Sequence, residues 1–559
     1  MQVTVAELIA QYLQRLGIEV IFGMPGAHVL PLYDALYRSP VRSVLAKHEQ
    51  GAAFMAGGRA RHRRVPAACI ATAGPGATNL ITGIANAYAE GLPVLAITGE
   101  TSTYIFGRGG LQESAGEGGA VDQVALFRGI TRYAKLIERT DYLAQVLAQA
   151  THALFAETPG PVLLSIPYNV QKEPVDDGLL DALYFPRRRA PRTGLSKSLD
   201  DAASLFAAAR HPVVIAGFGC IQAEARDALA RFSEDYAVPV TTSLKAKGAI
   251  SEGAALSLGC LGVTSDGEAR RYIETQADLL IFLGASFNER TSYLWNPALL
   301  ADRRIVQVDI KPSQLGKVFQ PDVAIQGDIK AMLEELLHGL QERAVKPKDL
   351  QAFEQHQSKL SSAPSAMSGD VGKAPSRFAL IAHFYASLAR SFPDGAIVFD
   401  DNIVFAQSYF SVSDRNHYYP NSGISSLGHA LPAALGAGLG EGKGPVFAIL
   451  GDGGFQMCAM ELMTAVNYET PINVLVINNG TMGLIRKNQF QLYDQRYIDC
   501  DFVNPDFAML AKSFGIQHHR LETPDDVDRL FANADLRGAI NLIELMLDKH
   551  AFPTYLSAR

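Results

Sequence analysis

Cysteine is scarce: five residues in a chain of 559 (Cys69, Cys220, Cys260, Cys458 and Cys500), each standing alone. No CxxC pair occurs. A disulfide framework and a thiolate zinc site are therefore not expected, and a reduced, cytoplasmic protein is. No apolar run approaches the ~18 residues needed to span a bilayer. The opening MQVTVAELIAQYLQRLG mixes polar and apolar residues at helical spacing and does not read as a signal peptide. Positive charge is not in excess. A net charge of −7 argues against nucleic acid or an anionic membrane as the main partner. Also missing is a GxGxxG followed by a ribose-binding acid after the first strand, which disfavours a nicotinamide oxidoreductase.

The chain is 48% hydrophobic and 19% charged, enough to bury a large core. At ~150 residues per domain its length suggests roughly three or four domains. Short β-branched runs alternate with helical patterns, the signature of parallel α/β sheets. Predicted strands are 67–71, 94–98, 162–166, 212–216, 279–283, 305–309, 396–399, 446–450, 472–477 and 540–546, apolar almost end to end as strands covered on both faces must be. The sequence turns irregular over 173–192 and polar, Ser/Pro/Lys-rich over 345–376. The expected organisation is three doubly wound α/β units, at 1–185, 190–345 and 376–559, with a linker at 346–375.

The strongest chemical signal lies in the third unit. The strand VFAIL runs into Gly451-Asp452-Gly453-Gly454, and a second strand, INVLVI, ends in Asn478-Asn479-Gly480. Glycines after a strand let the backbone approach a phosphate, and a following helix N-terminus favours the anion. A diphosphate normally brings Mg²⁺, which wants hard oxygen ligands. Asp452 offers a carboxylate, Asn479 an amide oxygen and Thr481 a main-chain carbonyl. All lie where ligands bind open parallel sheets, at the carboxyl ends of strands.

A second block lies in the first unit: Lys47-His48-Glu49-Gln50-Gly51-Ala52-Ala53, then Ala71-Thr72-Ala73-Gly74-Pro75-Gly76-Ala77-Thr78-Asn79. With the GDG and NN pair, this block resembles the acetolactate (acetohydroxyacid) synthase and 2-oxo acid decarboxylase branch of thiamine diphosphate enzymes. The resemblance extends through IFGMPGAHVLPLYDAL, ISSLGHALPAALGA, GASFNER and VDIKPSQLGK, essentially the whole chain.

The resemblance implies a pyrimidine-binding, a central and a diphosphate-binding domain, with thiamine diphosphate and Mg²⁺ held between subunits of a homodimer or homotetramer. It implies that Glu49 hydrogen-bonds the pyrimidine ring and promotes removal of the thiazolium C2 proton. Leu427 matches the wedge that bends the cofactor. Pro75 and Asn79 match the pyrimidine pocket, and Asn402, in Asp400-Asp401-Asn402, flanks the diphosphate. Two carboxylates beside phosphates are awkward, so at least one of Asp400 and Asp401 is expected to point elsewhere. Arg290 matches the arginine near the acceptor 2-oxo acid, for which a guanidinium is suited. Gln112 matches an active-site glutamine. His28, in Gly26-Ala27-His28, resembles the active-site histidine of benzaldehyde lyase-like members and is suited to proton relay. His429 stands beside the wedge, whereas His518 and His519 are expected at the surface.

The implied reaction is decarboxylation of a 2-oxo acid such as pyruvate with transfer of the acyl carbanion to a second carbonyl compound. The alternatives are a simple decarboxylase releasing an aldehyde and a benzaldehyde lyase-like enzyme. A non-catalytic relative is disfavoured by the joint presence of Glu49, Asp452 and Asn479. Two departures stand out. Asn488 occupies the region of the tryptophan with which biosynthetic synthases favour 2-ketobutyrate, and 114–120 (SAGEGGA) reads as an insertion. LKAKGAIS is more polar than the flavin-contacting stretch of FAD-dependent synthases, so FAD is not favoured.

Overall fold

The computed structural model describes residues 1–185, 196–362, 376–440, 444–553 and 555. Strands of the first part are β1 (Gln2–Thr4), β2 (Val20–Gly23), β3 (Arg42–Leu45), β4 (Ala67–Ala71), β5 (Val94–Glu100), β6 (Tyr133–Leu136), β7 (Val162–Pro167) and β8 (Pro174–Asp176). The second part contains β9 (Pro212–Ala216), β10 (Val240–Ser243), β11 (Ser257–Leu261), β12 (Leu279–Leu283), β13 (Arg304–Asp309) and β14 (Val323–Gln326). In the third are β15 (Ile397–Asp400), β16 (His417–Pro420), β17 (Val446–Gly451), β18 (Ile472–Asn478), β19 (Gln517–Leu521) and β20 (Ile540–Met546).

Apart from β1 and β8, which pair with each other, these strands form three six-stranded parallel sheets among the described residues, ordered β3-β2-β4-β5-β7-β6, β11-β10-β9-β12-β13-β14 and β16-β15-β17-β18-β20-β19. The first and third share one topology, each with its two edge strands placed in the same way; the middle sheet differs. That duplication has no counterpart in a repeated sequence. Each of the ten predicted strands is found, because each is an apolar run buried on both faces. The edge strands β3, β6, β16 and β19 escaped prediction because polar residues interrupt them.

Two irregular stretches are more ordered than their composition suggests. Within the expected linker, Gln351–Ser362 is helical, and Phe353 is buried against Tyr272 with ring centroids 5.8 Å apart. His356 of the same helix packs edge-on against the same ring, centroids 5.1 Å apart, so two rings dock an otherwise polar helix. Residues 363–375 of that linker and 186–195 at the first boundary lie outside the described residues. Pro174–Asp176, read as irregular, instead pairs antiparallel with β1.

One apolar cluster joins the first and third sheets, through the helices Glu49–Arg63 and Ala430–Gly438. Their crossing depends on glycine. A Cβ on Gly58 would lie 2.1 Å from the Ala433 carbonyl oxygen, and one on Gly436 would lie 2.0 Å from that of Met55. The crossing leaves the Glu49 end of the first helix attached to the third domain. Glu461, buried, accepts from the backbone N–H groups of Lys47 and His48 at 3.1 Å each and from Thr464 Oγ1 at 2.7 Å.

Candidate active site

The carboxyl ends of β17 and β18 are adjacent in register, Gly451 opposite Ile477, so the two loops leaving them meet. Asp452 fastens them together. Its Oδ2 accepts from the backbone N–H groups of Asn479 (3.0 Å) and Gly480 (2.6 Å) and from Asn504 Nδ2 (2.7 Å), while Oδ1 accepts from Gly453 N–H (2.9 Å). Burial pushes the Asp452 carboxyl up from its ordinary value, and these donors pull against it. Asn479 Oδ1 accepts from Thr481 N–H at 3.2 Å, and Thr481 Oγ1 donates to the Cys500 carbonyl at 2.8 Å.

Two further loops close on this pair. A Cβ on Gly451 would lie 3.6 Å from Asn402 Nδ2, and one on Gly454 would lie 3.8 Å from Leu427 Cβ. Gly453 is similarly hemmed in, since a Cβ there would meet Met482 Sδ at 2.5 Å. Thus Asn402, Leu427, Gly451–Gly454, Asn479 and Thr481, drawn from four loops, form one cluster at the carboxyl end of the third sheet. Leu427 is 38% exposed.

The carboxylates of the Asn402 loop both turn away. Asp400 is fully buried, accepts from Tyr418 Oη at 2.7 Å and from Asn402 N–H at 2.6 Å, and is pushed up to about 7 by desolvation. Asp401 accepts from Asn421 Nδ2 and from His429 N–H, each at 3.0 Å. His429 is buried edge-on against Phe54, ring centroids 5.1 Å apart. His518 and His519, expected at the surface, are half-buried on β19 and bond Glu544 and Asn541 of β20 at 3.2 and 3.1 Å.

A second cluster gathers the residues of the first domain. Glu49 opens its helix, and Asn79 Nδ2 donates to Glu49 Oε2 at 3.0 Å from the second turn of the helix Pro75–Glu90. His28 Nδ1 lies 3.2 Å from Thr72 Oγ1, which donates to Gln112 Oε1 at 3.3 Å. Burial holds the His28 imidazole below its usual value, toward the neutral form. Gln112 has φ +54° and crowds Gly74, whose added Cβ would lie 3.2 Å from Gln112 Cβ.

Two carboxylates hold the Gln112 loop. Glu113 accepts from Gly109 and Gly110 N–H at 3.0 and 2.8 Å. Glu100, fully buried, accepts from Ser114 N–H at 3.0 Å and is pushed up to about 7 by desolvation. The insertion 114–120 therefore begins on a buried anchor.

Arg290 belongs to a third group, between the central and third domains. Its Nη2 donates to Thr264 Oγ1 at 3.1 Å, and Lys487 and Tyr555 both feel its charge. The site residues therefore stand in three groups. Cavities of about 690 Å³ and 160 Å³, near His211 and Ile18, are lined by none of them. Sequence reasoning missed Asn504, Glu461, Glu100 and Thr72. Of these only Thr72, inside the ATAGPGATN block, carried any local signal.

Among the described residues no three His, Cys, Asp or Glu side chains cluster as a metal site. The Asp452 group instead offers one carboxylate with amide and carbonyl oxygens. That is the hard, mostly neutral donor set suited to Mg²⁺ shared with a diphosphate.

Comparison with known proteins defines the class. Residues 3–126 match the thiamine pyrophosphate enzyme N-terminal TPP binding domain, 199–336 the central domain, and 401–544 the C-terminal TPP binding domain. This is a thiamine diphosphate-dependent enzyme. Among curated proteins, the chain is 32% identical to a "Probable acetolactate synthase large subunit" of Methanocaldococcus jannaschii, over 97% of this chain and 92% of that protein. It is 31% identical to the acetolactate synthase large subunit of Corynebacterium glutamicum (94% and 84%) and 32% to the isozyme 2 large subunit of Escherichia coli (94% and 92%). The chain belongs to the acetolactate synthase family. No helix among the described residues is long and apolar enough to cross a membrane.

Proposed function

We propose that the protein is a Mg²⁺-dependent carboligase, in which a 2-oxo acid such as pyruvate loses CO₂ and its acyl carbon joins the carbonyl carbon of an acceptor. One C–C bond breaks and one forms, and one proton ends on the new hydroxyl. The reaction is redox-neutral and makes no demand on a flavin in the central sheet. The observation that carries this reading is the Asp452 carboxylate fastening the GDG loop to the NN loop at adjacent strand ends.

In this reading Asp452, Asn479 and the Thr481 carbonyl hold the metal, the Gly451–Gly454 backbone takes the diphosphate, and Asn402 and Leu427 flank it. Thiamine diphosphate, when bound, supplies the nucleophilic thiazolium carbon and the electron sink for decarboxylation. Glu49, fixed by Asn79, holds and returns a proton at the pyrimidine beside Pro75. Gln112 and His28 face the substrate, and Arg290 takes the acceptor's carboxylate.

The Glu49 and Asp452 groups are completed by those of a second copy, so the working unit is at least a homodimer and in the fuller form a homotetramer. Support for this is the division of the residues into separate groups on one chain. The five free cysteines suit a reducing cytoplasm.

A second reading, release of an aldehyde or benzaldehyde lyase-like chemistry, is favoured by His28, whose neutral imidazole beside Thr72 and Gln112 is suited to deliver a proton. A panel of 2-oxo acids with and without carbonyl acceptors, followed by CO₂ release and product mass, separates the two. Carboligation products support the first reading, and aldehyde alone overturns it.

A further inference from the structure

The helix Ile403–Tyr409 starts on Asn402, the residue assigned above to the flank of the diphosphate. Five residues further on, about 7.5 Å along the axis, stands Gln407. Its side chain is buried and crosses from the third domain into the central one. There Nε2 donates to the Leu261 carbonyl at 3.3 Å and to Cys260 Sγ at 3.4 Å. Oε1 accepts from Thr264 Oγ1, and the next residue, Ser408, donates through Oγ to the Thr264 carbonyl. A single turn of helix thus grips Thr264 by its side chain and by its backbone.

Polarity runs one way along this chain of groups. The Leu261 carbonyl can only accept, so it fixes which end of the Gln407 amide carries the NH₂ and leaves the oxygen toward Thr264. A threonine hydroxyl has one proton, and giving it to Gln407 turns the lone pairs toward another donor. That donor is Arg290, whose Nη2 lies 3.1 Å from Thr264 Oγ1. The Arg290 carbonyl also accepts from Val263 N–H at 3.0 Å, so the arginine is tied at both ends to the loop that follows β11. A guanidinium is a rigid planar fork, and holding one of its N–H groups fixes the direction of the others.

We propose that Gln407, acting through Thr264, is a positioning residue that aims the Arg290 guanidinium at the carboxylate of the acceptor. This rests on the acceptor role given to Arg290 above. It adds that the helix starting beside the diphosphate also sets the preference for acidic over neutral acceptors.

The test gives the holoenzyme pyruvate as donor, with 2-oxobutyrate and acetaldehyde competing as acceptors, and the two products are quantified by mass. Their ratio reads the relative kcat/KM of an acceptor with a carboxylate against one without, and does not depend on how much of the enzyme is folded. Wild type is expected to favour 2-oxobutyrate. Thr264→Val and Gln407→Met keep the shape but remove the hydroxyl or the amide. Each is expected to lower the ratio about 10-fold, as for loss of a hydrogen bond to a charged group. Thr264→Ser, which keeps the hydroxyl, should restore it. Arg290→Gln should lower the ratio at least as far, and adding Thr264→Val to it should do no further harm, because both act through one guanidinium.

A wild-type ratio in Thr264→Val and Gln407→Met, whatever their total rate, overturns the positioning role if Arg290→Gln still lowers it, and leaves Arg290 at the acceptor. A wild-type ratio in Arg290→Gln overturns the acceptor role itself. Absence of both products with wild-type enzyme overturns the carboligase reading.

Discussion

Replacing Asp452 by alanine deprives Asn479 N–H, Gly480 N–H and Asn504 Nδ2 of their shared acceptor. A hydrogen bond to a charged group contributes about 1.5–3 kcal/mol, so the two backbone bonds alone represent about 3–6 kcal/mol of loop order. Water recovers part of this, because Asn479 and Gly480 are only half-buried. A net loss of about 3 kcal/mol corresponds to roughly 100-fold weaker thiamine diphosphate binding, before any loss of the metal ligand is added. Asp452→Asn keeps the shape but turns an NH₂ group toward N–H donors, and the same direction is expected. Calorimetric titration of each variant with thiamine diphosphate, at saturating Mg²⁺ and in EDTA, reads both effects. Wild-type affinity should depend on Mg²⁺, and that dependence should vanish in Asp452→Ala. Affinity within threefold of wild type, with its Mg²⁺ dependence intact, would refute the metal assignment.

Other predictions follow from the same contacts. Glu461→Ala leaves the Lys47 and His48 N–H groups without their acceptor, at about 1–3 kcal/mol each, and is expected to lower kcat with little change in cofactor affinity; unchanged steady-state kinetics would discard the positioning role. Gly436→Ala forces a methyl against the Met55 carbonyl and should cost about 1–3 kcal/mol, read as a lower Tm, and a wild-type melt would mean the helices are free to part. Glu100, raised from 4.5 to about 7 by burial, holds its proton in the folded state more tightly than in the unfolded chain. Its stabilisation is complete below pH 4.5 and is lost as pH rises to about 7. Glu100→Gln should therefore flatten part of the fall in Tm between those values, and a pH profile identical to wild type would show that Glu100 is not the titrating group.

The legible parts of the molecule are those in which chemistry is local in sequence. Strands such as Val446–Gly451 and Ile472–Asn478 announce themselves because burial on both faces demands uninterrupted apolar residues. The GDG and NN loops follow those strands directly, so their adjacency could be inferred from parallel-sheet geometry. Asn504 and Glu461 could not be found this way. Asn504 reaches Asp452 from 52 positions away, and Glu461 holds backbone amides 413 and 414 positions away. Neither has a local pattern that distinguishes it from a surface polar residue. Glu100 ends an apolar strand, where only tertiary burial makes its carboxyl unusual. The shared topology of the first and third sheets was invisible because topology constrains the placement of apolar runs and leaves residue identities free.

Mixing two disabled variants tests the shared site most directly. Glu49→Gln and Asp452→Asn are each expected to be nearly inactive alone, with Glu49→Gln still binding thiamine diphosphate. After co-refolding in equal amounts, half the dimers contain one chain of each kind, and one of their two sites pairs an intact Glu49 with an intact Asp452. Activity of about one quarter of wild type is then predicted, with both residues acting across the two-fold interface. Activity no greater than that of the separate variants, in a mixture shown by mass to contain the hybrid dimer, would contradict the account.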